Sequence, residues 1–130
     1  VDILPTIADI VGADMELGDL DGGSFKDVLY QQSDDVARHW PFLVFHDKDG
    51  RPKSNSKRAD SETALLQGDF KLIKTWKDGE QHSIELYNIA EDKEERVDLA
   101  GTNPEKTAAL SRILDDYIAE VGGDVTIVDD

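Results

Sequence analysis

The chain has 130 residues, 38% hydrophobic and 33% charged, which is the size and make-up of one modest domain able to bury a core. Fourteen Lys and Arg against twenty-nine Asp and Glu give a formal net charge of −15, which argues against nucleic acid and anionic membrane surfaces as partners. With no cysteine, a disulfide framework, a thiolate metal site and a cysteine nucleophile are excluded within these residues, and no apolar run approaches the roughly 20 residues that span a bilayer.

The sequence opens on a helix signal, with neither Met nor a signal peptide, as expected of a segment of something longer. Asp2 is placed to cap a helix with Pro5 in its first turn; Ile3, Leu4, Ile7, Ile10 and Val11 recur at helical spacing, and Gly12 closes it. A short helix with one apolar side needs a partner, here expected upstream. Residues 14–23 are an Asp- and Gly-rich loop. Ser24 and Asp27 form a capping-box-like pair for a second short helix with Phe25, Val28 and Leu29 on one face.

After Trp40-Pro41, Phe42 to His46 predicts a strand, and residues 47–61 a long loop with turn material at Gly50-Arg51-Pro52 and Ser54-Asn55-Ser56. A meander follows: a strand Thr63 to Gln67, a hairpin turn at Gly68-Asp69, a strand Phe70 to Trp76, a turn at Asp78-Gly79 and a strand His82 to Tyr87. In the middle strand Phe70, Leu72 and Lys74 alternate with Lys71, Ile73 and Thr75, so both faces are expected to be partly covered. Asn103 as N-cap and Pro104 at the first helical position start a terminal helix. Its stripe is Leu110, Ile113, Leu114, Tyr117, Ile118 and Val121, ended by Gly122-Gly123. The predicted fold class is α+β: an antiparallel sheet of about four strands under a long C-terminal helix, with short helices at the N-terminus. The tail 124–128 is an added edge-strand candidate.

Few patterns point to chemistry. Asp47-Lys48-Asp49-Gly50 lacks the alternating ligands and the twelfth-position Glu of a calcium loop, and fits a solvated turn. His39, His46 and His82 share no ligand spacing, so no zinc site is predicted. No phosphate-binding Gly-rich loop and no nucleophile elbow is present. Asp115, Asp116 and Glu120 fit the solvated back of the last helix. The acids of residues 91–98 are numerous enough for acid/base work, but no nucleophile or base stands near them. One contrast stands out. Residues 46–58 hold five of the fourteen bases, Lys48, Arg51, Lys53, Lys57 and Arg58, but only two of the twenty-nine acids. A basic island on an acidic chain focuses anions, and as a bare loop it keeps the segment solvated. His46 ends a strand beside it, where site residues often stand.

Four segments, in order, resemble the C-terminal part of the sulfatases of the alkaline phosphatase superfamily: DILPTIADIVGA (2–13), LDGGSFKDVL (20–29), ALLQGDFKLIKTW (64–76) and ELYNIAEDKEERVDLA (85–100). Lys93 departs from the family's usual Pro, and Asp98 stands where Asn is frequent. The resemblance implies that residues 1–33 are the tail end of a large α/β catalytic domain and its connection, and that 34–130 are the antiparallel sheet-plus-helix subdomain. It implies a parent enzyme hydrolysing sulfate esters, with a formylglycine nucleophile made in a C/S-x-P-x-R motif and a calcium ion, exported to the periplasm or exterior. The chain has no such motif, so no catalytic or metal residue is carried over and the chain alone is expected to be inactive. Its implied partners are the upstream catalytic domain of the same polypeptide and a sulfated small molecule or glycan.

As substrate-rim residues, His46, Arg51, Lys53, Lys57 and Arg58 are the candidates, because a cationic loop suits a sulfated glycan. Two alternatives stay open: a related phosphonate or phosphodiester hydrolase, and a non-enzymatic acidic interaction module. The module predicts no exposed apolar patch near Ile3, Leu4 and Ile7; the subdomain predicts one.

Overall fold

A computed structural model describes residues 2–13, 22–34, 36, 38–47, 61–77 and 80–122. The chain divides into two compact units, Val1–Pro41 and Phe42–Asp130.

The first unit carries α1 (Ile3–Val11) and α2 (Lys26–Leu29). α1 ends as expected. Gly12 takes a left-handed φ of 65°, which lets the Ala13 N–H reach the Ala8 carbonyl at 2.9 Å. Its start differs from expectation. The Asp2 side chain makes no cap bond to α1. Its carboxylate accepts instead from Gly23 N–H at 3.0 Å and from Arg38 at 3.0 and 2.7 Å, because a guanidinium fork and a loop amide compete successfully for the same oxygens. Ser24 also departs from the expected box. Its hydroxyl accepts from the Lys26 N–H at 3.2 Å and donates to Asp9 at 2.7 Å, and Phe25 stands at the N-cap position. The buried side of α1 is made of Pro5, Thr6 and Ala8, while Ile3, Leu4, Ile7, Ile10 and Val11 are exposed.

The second unit is a meander. Strands β1 (Leu43–Asp47), β2 (Ser61–Gln67), β3 (Phe70–Lys77) and β4 (Glu80–Asn88) pair antiparallel in chain order. Gly68, at φ 57°, supplies the left-handed residue of the β2–β3 hairpin. α3 (Pro104–Glu120) starts as predicted, with Pro104 in the first turn and the Asn103 side chain accepting from the Lys106 N–H. The predicted α+β class and four-stranded sheet are therefore observed. The tail 124–128, the turn 78–79 and the loop residues 48–60 lie outside the described residues.

Register decides what α3 covers. Val44, Leu65, Leu72 and Leu86 align in one cross-sheet row. Leu65, Leu72 and Leu86 are completely buried and pack with Leu110 and Leu114 of α3. Ile113 and Ile118 flank this core, and Val121 at the end of the stripe is half exposed. The other face is also partly covered, as the mixed alternation in β3 implies: Thr75 and Tyr87 are buried there.

The link from β4 to α3 is tied down by its acids. Asp98 Oδ1 accepts from the N–H groups of Leu86 at 3.0 Å and Ala100 at 2.8 Å, and Asp92 Oδ2 accepts from those of Arg96 and Val97, each at 2.8 Å. Glu95, at a positive φ of 53°, meets Lys71 of β3 at 2.7 Å. Two of the acids of residues 91–98 thus bind backbone N–H groups, and a third anchors the link to β3.

Candidate functional site

One row further along the α3-covered face, toward the end where β1 leaves and β2 enters the sheet, the apolar pattern gives way. His46, Thr63, Lys74 and Ile84 are cross-strand neighbours. Period-2 alternation puts them on the same face as the leucine row, so three polar side chains extend a hydrophobic layer. Such groups are tolerated only when partnered, and here they are. No buried side-chain nitrogen or oxygen among the described residues lacks a hydrogen-bond partner.

Thr63, 1% exposed, is the hub. Its Oγ1 accepts from Trp76 Nε1–H at 2.9 Å and lies 2.8 Å from Nδ1 of His46. His46 itself is exposed. Beside Thr63, the Lys74 side chain is buried, but its ammonium reaches Asp115 of α3 at 2.6 Å and sits 5.9 Å from the Trp76 ring centroid. Asp115 was expected on the solvated back of the helix; the need to neutralise a buried ammonium draws it to the sheet instead.

Of the five candidate rim residues read from the sequence, the structure places His46 at this polar end of β1. Arg51, Lys53, Lys57 and Arg58 lie outside the described residues. Thr63, Trp76, Lys74 and Asp115 went unrecognised as a cluster, because they come from three elements and share no sequence spacing. The one available signal was Lys74, a charge at a core-parity position of β3. The remaining histidines stand apart. His82 is the extra residue at the irregularity where β4 passes Thr75 and Trp76, and His39 makes an edge contact with Trp40.

Elsewhere the electrostatics are those of scaffold. Two hydrogen bonds from Arg38, reinforced by the Gly23 N–H, bring the Asp2 carboxyl down to about 2. Lys26 and Ser24 lower Asp9 in the same manner, and Asp9 in turn raises Lys26. Burial pushes the Tyr87 phenol up, helped by its hydrogen bond to Glu85. No group of three or more His, Asp or Glu among the described residues could hold a metal ion. No helix among them is long and apolar enough to cross a membrane.

No family model and no curated protein matches the sequence. Solved structures do match. A candidate sulfatase from Bacteroides thetaiotaomicron VPI-5482 superposes with a TM-score of 0.71 at 22% identity, over 98% of this chain and 26% of that one. BT4656, solved with its substrate D-glucosamine-2-N,6-O-disulfate, gives 0.67 at 20% identity over 98% of this chain and 25% of that one. The candidate sulfatase yidJ from Bacteroides fragilis gives 0.63 at 14% identity over 94% and 25%. The likeness anticipated from four ordered sequence segments is therefore found in three dimensions, and this chain has the fold of about a quarter of the length of these chains.

Proposed function

We propose that this chain is the C-terminal portion of a sulfatase hydrolysing sulfate esters of sulfated glycans, in which it supplies scaffold and part of the substrate rim and holds no catalytic centre. The observation that carries this reading is the extent of the fold match: nearly all of this chain, about a quarter of its solved counterparts. A glucosamine disulfate bound as substrate by one of those counterparts supports a sulfated sugar as the substrate class. In this reading residues 1–33 belong to the tail of a large α/β domain lying upstream. The formylglycine and the calcium, which together supply the nucleophile and neutralise sulfate oxygens, also belong upstream, and the parent is exported. The exposed Ile3, Leu4, Ile7, Ile10 and Val11 support a covering partner for α1, and that partner is the upstream domain.

The chain's own contribution is electrostatic and positional. His46 stands at the strand end that leads into the basic segment, and Arg51, Lys53, Lys57 and Arg58 would raise the local concentration of a polyanion against a chain of net charge −15.

The test is the complete polypeptide containing this chain, assayed for sulfate release from a 6-O-sulfated glucosamine oligosaccharide. The expected result is turnover by the complete polypeptide, none by residues 1–130, and a C/S-x-P-x-R motif upstream. Charge reversal at Arg51, Lys53, Lys57 and Arg58 should raise KM for the sulfated oligosaccharide and flatten its dependence on ionic strength. Turnover of phosphonate or phosphodiester substrates alone would assign the related hydrolase, and an unchanged KM would remove the rim role.

A further inference from the structure

Thr63 is a buried hydroxyl with two neighbours of different kinds. The indole Nε1–H of Trp76 can only donate, so Thr63 Oγ1 is committed as its acceptor at 2.9 Å. The hydroxyl proton then needs an acceptor of its own, since Thr63 is 1% exposed and an unmade bond there is costly. Nδ1 of His46, 2.8 Å away, is the partner in reach. An imidazole whose Nδ1 accepts carries its proton on Nε2.

We propose that Thr63 and Trp76 act as positioning residues that fix the tautomer of His46, so that the exposed imidazole presents a neutral Nε2–H donor suited to a hydroxyl or sulfate oxygen of a sugar ligand. The relay runs Trp76 Nε1–H to Thr63 Oγ1, and Thr63 Oγ1–H to His46 Nδ1. It fixes the ring from behind through two residues buried or half-buried in the sheet, and it needs no charge on the imidazole. Lys74 does not join the relay: its ammonium is directed to Asp115, and it too can only donate. The ligand half of the proposal rests on His46 lining the substrate rim; the tautomer half does not.

The two halves are tested separately. In the 130-residue chain labelled with nitrogen-15 at its three histidines, the His46 signals, assigned by their loss in His46→Gln, should show Nδ1 unprotonated and Nε2 protonated in the neutral ring. Free histidine leans toward the same tautomer, so the discriminating variant is Thr63→Val. Loss of one neutral hydrogen bond should shift the tautomer ratio toward Nδ1–H by about three- to tenfold, and Thr63→Ser should restore it. Amide spectra of the variants report whether the sheet persists. A wild-type Nδ1–H tautomer, or an unmoved ratio in a folded Thr63→Val chain, would overturn the relay.

In the complete polypeptide, His46→Gln keeps a donor near the Nε2 position and His46→Asn does not. KM for the 6-O-sulfated oligosaccharide should therefore rise further in His46→Asn, with kcat little changed. Equal KM in both variants and wild type would overturn the ligand half while leaving the nitrogen result standing.

Discussion

The carboxylate of Asp2 accepts two hydrogen bonds from Arg38 and one from Gly23, and that coordination, led by Arg38, holds its pKa at about 2 instead of 3.8. A carboxyl depressed by folding stabilises the fold above its unfolded pKa, and the contribution disappears as pH falls through the folded value. The pair should therefore contribute about 1–2 kcal/mol above pH 4 and lose it between pH 4 and 2, after allowing for its partial exposure. A carbon-13 titration of the Asp2 carboxyl should show the low midpoint, and Arg38→Met should bring it back toward 3.8. None of this was visible in the sequence, where Asp2 before an apolar run signals a helix cap. The competitor, Arg38, is thirty-six residues away, beyond any local pattern. Lys74 carries the same lesson in the sheet. Removing its partner with Asp115→Ala should cost about 1–2 kcal/mol in a urea melt, less than a fully enclosed pair because Asp115 is half exposed. Replacing both, as Lys74→Met with Asp115→Leu, should be close to neutral.

Helices and strands were easier to foresee than the contacts made by their polar residues. Strand alternation and the six-residue stripe of α3 placed the four strands and the helix within a residue or two, because burial on one face imposes a period that survives in any context. Pro104 and Gly12 fixed boundaries by steric means. Leu114→Ala, at a completely buried position, should cost about 2–5 kcal/mol by urea denaturation. Val121→Ala at the half-exposed end of the stripe should fall within about 0.5 kcal/mol of wild type. The hydrogen bonds that tie down the β4–α3 link leave no local pattern in its run of acids. Asp98→Asn should be nearly silent, because an amide oxygen can accept from Leu86 and Ala100 as the carboxylate does, whereas Asp98→Ala should cost about 1–3 kcal/mol. Glu94, exposed and paired with the likewise exposed Arg96, should tolerate neutralisation without measurable loss.

Across the molecule as a whole, an apolar flank and a charge contrast are the features that speak of partners. α1 turns its large side chains outward and buries its small ones, so the isolated chain should self-associate despite a charge of −15. Sedimentation velocity should show association that weakens in Ile3→Lys with Ile7→Lys, and the acidic-module alternative predicts a monomer in every case. The His46 end of the sheet was half legible. A strand end beside a basic segment directed attention there, but the residues that orient His46 are brought together only by register.

The meander also sets an order of events at the ribosome. Each of the four described strands pairs with its sequence neighbour, so this sheet can assemble as it emerges, through short-range contacts that close quickly. Its lid comes last. At roughly 5–20 residues per second, the completed leucine row waits a few seconds for α3. Over that interval the nascent chain presents Leu65, Leu72 and Leu86 bare, so premature termination before Pro104 should leave a product prone to aggregation.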